Sequence, residues 1–189
     1  MNKCILCYIG SLNPQDGVDH LLRSLQHLSY DLKRSDFHCI IMGTGDSLQD
    51  LNDLAEKRQL NGCVELPGFV SGEDLRSNLA AADICLDPDP SSPLNDVSTW
   101  IKVMEYMAYG KPIIAFDLKE TRFCAGNAAI YVRPNKEAEF SEAITQLMAQ
   151  PELRKKMGTF GRRRVEDELR WNKVGRNLLA SYDTLLAEK

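Results

Sequence analysis

The stretch Lys102–Phe116, KVMEYMAYGKPIIAF, changes character midway. Its first half carries apolar residues at helical spacing. Gly110 suits the end of that helix, and Pro112 does not continue it. The run PIIAF that follows is short, apolar and bounded by turn residues. That is the signature of a strand buried on both faces. A helix leading directly into such a strand is the building unit of a parallel α/β sheet.

The same alternation extends outward in both directions. Strand-like apolar runs cover residues 4–10, 37–43, 63–68, 83–87, 112–116 and 128–132. Val18, Leu21, Leu22, Leu25 and Leu28 have amphipathic helical spacing, as do Leu48, Leu51, Leu54 and Ala55. Residues 72–82 and 98–109 form two more helical periods. The expectation is a six-stranded parallel sheet with helices on both faces and right-handed crossovers. Three consecutive helices follow, over 135–150, 151–169 and 171–189, in one domain spanning 1–189. The charge-dense RRRVEDE run at 162–168 reads as a solvated helix face with i,i+4 pairs.

Bulk composition narrows the function. The 189 residues are 43% hydrophobic and 26% charged, with a net charge of -4, as in an ordinary globular protein. That balance argues against a broad nucleic-acid surface. No run of about 18 apolar residues marks a membrane span. Cys4, Cys7, Cys39 and Cys85 lie in strand runs and read as buried thiols. Cys4 and Cys7 are three apart, so on a strand they point to opposite faces. With no second C-x-x-C, a zinc site is not expected. His20, His27 and His38 show no ligand-like grouping.

In an open parallel sheet, ligands bind beyond the carboxyl ends of the strands. Gly10, Gly43, Gly45 and Gly68 each follow a strand there, and glycine permits close backbone approach by a ligand. The GTGD at 43–46 lacks the third glycine of a dinucleotide fingerprint, and Asp46 or Ser47 fits a helix cap. Residues 87–99, DPDPSSPLNDVST, form an unusually long loop. Ser98 or Thr99 looks like an N-cap, and the helix amino end beyond it favours phosphate. Lys102 adds a cation in the first turn. On a helical wheel Ile101, Met104 and Ala108 share a face, which Val103 and Met107 widen. Glu105 falls about 40° from Ile101 at the edge of that stripe. Pattern alone equally allows an exposed Lys102–Glu105 pair worth about 0.2–0.5 kcal/mol.

Taken together, IGSLNPQDGVDHLL, IIMGTGD, VELPGFVSGEDLRSNLAAADICLDP, NDVSTWIKVMEYMAYGKPIIAFDLKETR and NAAIYVRPN cover nearly the whole chain. In this order they resemble the C-terminal, donor-binding domain of family 4 (group 1) retaining glycosyltransferases, in a bacterial branch that builds surface polysaccharides. The resemblance implies a Rossmann-like half of the two-domain GT-B fold. It also implies a nucleotide-sugar donor, UDP- or GDP-linked, and no metal. Glu105 would bind the ribose hydroxyls, and Phe69 and Val70 would flank the base. Gly10, Ser11, Gly43, Thr44 and Gly45 would line the cleft. Ser98, Thr99 and Lys102 would meet the diphosphate, with Lys102 as a leaving-group stabiliser.

Three departures accompany the resemblance. The family's first paired glutamate is replaced by Val97, with Asp96 beside it, and its basic pair by Ser11 and Asp16. The implied acceptor domain lies outside this chain, so an isolated domain is expected to bind nucleotide weakly and to catalyse nothing. The last helix would return towards that domain. The implied location is cytoplasmic, with a peripheral place at the cytoplasmic membrane face open to the full-length form. Two other classes fit the same residues: a noncatalytic nucleotide-binding or protein-interaction module, and half of a nucleotide-sugar epimerase.

Overall fold

The computed structural model describes residues 3–187. Six parallel strands form one sheet: β1 (Cys4–Ile9), β2 (Phe37–Met42), β3 (Val64–Gly68), β4 (Ile84–Asp87), β5 (Ile113–Phe116) and β6 (Ala129–Val132). Their order, β3-β2-β1-β4-β5-β6, is that of a doubly wound sheet. Each strand lies within a residue or so of the expected run; the central strands β1, β4 and β5, largely buried on both faces, are uninterrupted in their apolar sequence, whereas the edge strand β3 is half exposed.

The period-two alternation sorts side chains into two cores. Leu6, Tyr8, Cys39, Ile41, Ile84, Leu86, Ile114 and Phe116 face one layer. Cys7, Ile9, Met42, Cys85, Ile113 and Ala115 face the other. Cys4 packs on the first core and Cys7 lies within the second, as their spacing requires. The first layer is covered by α1 (Val18–Tyr30), α2 (Leu48–Lys57) and α6 (Glu137–Met148). The second is covered by α3 (Gly72–Ala81), α4 (Ile101–Ala108) and α5 (Lys119–Ala125).

Next, α7 (Pro151–Arg164) starts against the first core with Leu153 and Met157 and reaches the second with Phe160. Gly158 makes that crossing feasible. A Cβ there would lie 1.9 Å from the Gly110 carbonyl oxygen, at the end of α4. The run 162–168, which begins at the end of α7, forms the expected Arg162–Glu166 and Arg164–Glu168 pairs, but it is not simply a solvated face: Arg164 also donates to the carbonyls of Phe123 and Cys124, and Val165 packs on the second core. A π-helical turn, Val165–Leu169, then leads to α8 (Trp171–Ala187). Positions 188 and 189 of the expected last helix lie outside the described residues. Among the described residues, no helix is long and apolar enough to cross a membrane.

The sheet divides between β1 and β4, which pair only at Leu6–Ile84 and Cys7–Cys85. Beyond that point the Tyr106 hydroxyl stands between the two strands. It accepts the Ile9 amide proton at 2.9 Å and lies 3.2 Å from the Leu86 carbonyl, to which it donates. Tyr106 is fully buried, so it satisfies backbone groups that the separating strands leave behind.

Two substitutions test these contacts. Tyr106→Phe orphans the Ile9 amide and is expected to lower unfolding stability by about 1–3 kcal/mol. Gly158→Ala forces two backbones apart and should lower it by about 1–3 kcal/mol. Urea denaturation measures both. Wild-type stability in either variant would refute the corresponding contact.

Candidate functional site

The loop after β1 and the loop after β4 meet at the point where the sheet divides. Asn95 is fully buried and donates one amide proton across this junction, to the Gln15 carbonyl, and the other within its own loop, to the Pro90 carbonyl, each at 2.8 Å. Gly17 adopts φ 67°, and a Cβ there would lie 2.1 Å from the Pro88 carbonyl oxygen. Gly43 approaches the first loop equally closely, with a Cβ position 1.8 Å from the Gly10 carbonyl oxygen. Such approach excludes any side chain at these glycines, and beside the junction Gly10 and Gly43 line a cavity of about 590 Å³.

Gly10, Ser11, Gly43, Thr44, Phe69, Val70, Thr99, Lys102 and Glu105 line this cavity. Gly45 and Ser98 do not. Gly45 is pressed on the Leu12 backbone, 2.5 Å from its carbonyl oxygen at the Cβ position, and the Ser98 hydroxyl donates to the Leu94 carbonyl at 2.7 Å. Asp16 is buried in the cavity wall, and its carboxylate accepts the Asn13 amide proton at 3.0 Å. An acidic side chain therefore stands in the cavity wall, where the resemblance implies a basic one.

Helix α4 differs from its expected setting in two ways. Its N-cap is Trp100, with no side-chain capping bond. Thr99 does not cap it, because its hydroxyl donates to Glu120 at 3.0 Å; Ser98 is engaged with Leu94. The buried face is Lys102, Val103, Tyr106 and Met107, whereas Ile101 is 68% exposed. The hydrophobic wheel misplaced this face because it counted Lys102 as polar and therefore outward. Two carboxylates from the β4 side neutralise Lys102 and draw it in.

The exposed Lys102–Glu105 pair accordingly does not form. The Lys102 ammonium is 2.7 Å from Asp89 Oδ1 and 3.3 Å from Asp87 Oδ1, with all three side chains buried. Thr121 donates to the other Asp87 oxygen at 3.3 Å. Burial works against the Lys102 charge, but Asp87 and Asp89 more than offset it, so the ammonium is held above the ordinary lysine range. Burial first, and then the Asp87 charge, pushes Asp89 well above the usual carboxylate range, against the pull of Lys102. The Tyr8 and Trp100 rings lie 5.1 and 5.4 Å from the ammonium.

Glu105 behaves oppositely. It is exposed on the cavity wall, one turn after Ile101, with no side-chain partner among the described residues. Ile9, Met42, Leu75, Trp100 and Ile101 complete the lining and were not singled out from the sequence. The strand ends Ile9 and Met42 were legible only as core. Trp100 sits beside the expected cap and was open to inspection there. Chemically, the cavity offers an apolar wall, a free carboxylate, and a cation already paired. No group of three or more His, Cys, Asp or Glu residues suited to holding a metal occurs among the described residues.

Comparison with known proteins places this geometry. The chain is 26% identical over 158 residues to the alpha-D-kanosaminyltransferase of Streptomyces kanamyceticus, covering 82% of this chain and 39% of that one. Sucrose-phosphate synthase from Thermosynechococcus elongatus shares the fold at TM-score 0.85 and 21% identity, over 99% of this chain and 46% of that one. Anabaena HepE, solved in complex with UDP, shares it at TM-score 0.82 and 15% identity, over 97% and 49% of the two chains. The sheet and helices are thus one half of a GT-B fold, as the sequence led us to expect. The chain spans less than half the length of the curated relatives it matches. The family model of glycosyl transferases group 1 matches residues 1–164, and the chain belongs to that family.

Proposed function

We propose that the cavity binds the nucleoside diphosphate of a nucleotide sugar, and that this chain is the donor half of a retaining glycosyltransferase. Its transferred glycosyl group goes to a polysaccharide or lipid-linked acceptor held by a second domain. The observation that carries this reading is Glu105, an exposed and unpartnered carboxylate in a cavity at the division of a doubly wound sheet. A carboxylate only accepts hydrogen bonds, which suits the two hydroxyls of a ribose. The apolar wall of Ile9, Met42, Val70 and Leu75 suits a base.

In this reading the protein positions the donor and stabilises the leaving diphosphate with its own groups, without a bound metal. The departing phosphate helps to deprotonate the acceptor on the same face of the sugar, and configuration is retained. UDP is the first nucleotide to test, because HepE was solved with it. A second reading, a noncatalytic nucleotide-binding module, is favoured by Asp16 on the cavity wall and by Val97, which is 76% exposed where the family has a glutamate.

A thermal-shift panel of UDP, GDP and their sugars tests the binding, since a ligand selective for the folded state raises the melting temperature. At least one of these is expected to stabilise the chain. Glu105→Ala should weaken that nucleotide by about 1.5–3 kcal/mol without loss of stability. Unchanged affinity in calorimetry would remove Glu105 from the site, and no response to any nucleotide at millimolar concentration would sink the reading.

A further inference from the structure

We propose that Asp87 and Asp89 are positioning residues for Lys102, and that a donor diphosphate competes with them for its ammonium, so that binding draws a proton into the carboxylate pair. This rests on the donor-domain reading above. The geometry is specific. Lys102 lines the cavity, yet its ammonium lies 2.7 Å from Asp89 and 3.3 Å from Asp87. Both carboxylates are essentially inaccessible, at 1% and 0% exposure, against 7% for the lysine. Asp89 Oδ2 is buried without a hydrogen bond, and Asp87 Oδ1 has only the Lys102 ammonium at 3.3 Å.

Two ionised carboxylates and one ammonium leave a net negative charge in a buried site. Such a charge is costly, and protonation of one carboxylate relieves it. While both carboxylates are ionised, the lysine is fully committed to them. When one takes a proton, the lysine can direct its charge at a phosphate in the cavity. The only bond made is the O–H of one carboxyl group, and no bond of the ligand or of the lysine is made or broken. The proton comes from solvent and resides on the pair while ligand is bound.

The Lys102 ammonium feels Tyr8 from β1, Asp87 at the end of β4 and Asp89 just after it, with the Trp100 ring beside it; Asp16 from the first loop acts on Tyr8, and Thr121 on α5 donates to Asp87. Burial lifts the Tyr8 phenol above its ordinary range, and it stays un-ionised near neutrality. Burial likewise raises the Cys124 thiol on α5, which feels Asp87, to about 11. Asp89 is held well above the usual carboxylate range, by burial and then by Asp87.

The sign follows from linkage. A bound anion makes the pair hold its proton more tightly, so binding takes up protons. Affinity is then highest below the pair's titration and falls as pH rises through it, by at most about tenfold per pH unit for one proton. A structural ion pair that ignores the ligand gives no such slope.

The test titrates the full chain with UDP-glucose and GDP-mannose, and with uridine and guanosine as phosphate-free controls, from about pH 6 to about pH 8.5. Sugar nucleotides suit it because their diphosphate keeps the same charge across this range. Affinity for the sugar nucleotide is expected to fall as pH rises, while nucleoside affinity stays flat. Asp89→Asn should flatten the profile and bind more tightly than the unaltered chain at the alkaline end. Should that variant fail to fold, calorimetry of the unaltered chain in two buffers of different ionisation heat counts the protons directly. Net uptake with the sugar nucleotide and none with the nucleoside supports the inference. Sugar-nucleotide binding with a flat profile and no uptake overturns it and leaves the donor-domain reading standing. Absence of any nucleotide binding overturns both.

Discussion

The hydroxyl of Tyr106 occupies the place where β1 and β4 stop pairing. Two parallel strands that separate inside a protein leave backbone groups with neither partner nor water, at a cost of about 1–3 kcal/mol for each one unmet. Tyr106 meets Ile9 and Leu86 at once, and the strands can diverge without that loss. Their divergence makes room for two loops, one after each strand. Asn95 and Gly17 lock those loops together. The cavity is a consequence of this separation, and Glu105 reaches it from the position next to Tyr106.

The same helix supplies both charged groups of the site, and the fold treats them differently. Lys102 turns inward onto Asp87 and Asp89, and Glu105 stays outside. With Asp16 in the wall as well, the cavity carries more acidic than basic groups. A diphosphate ligand therefore meets a lysine whose charge is shared. That is an unusual arrangement for a phosphate site, and it gives the donor reading a chemical demand: charge has to be released from the pair, or supplied from beyond this chain.

Much of the fold was legible. Parallel strands buried on both faces appear as unbroken apolar runs, and CILCYI, FHCIIM and PIIAF could be read directly. The helices showed in their spacing, and the ligand edge followed from the order of elements. Gly10, Gly43, Thr99 and Lys102 were open to reading from the loops that follow strands, whereas Ser11, Thr44, Phe69, Val70 and a ribose role for Glu105 came only with the family resemblance. The exceptions are instructive. Ser98 and Thr99 resembled caps, but each found a different partner brought close by folding, Leu94 and Glu120. Gly45 resembled a ligand-contact glycine and instead accommodates the backbone of Leu12.

What the sequence determined by itself was the alternation of helix and strand and, along the central strands, the face each apolar residue presents. These depend on short-range periodicity and backbone sterics. The tertiary structure alone decided which charges are spent and which are free. Lys102 and Glu105 are three residues apart and look equivalent in a helical pattern. Ion pairing acts through space, and only the approach of β4 and its loop to α4 places two carboxylates on the lysine and none of its neighbours on the glutamate.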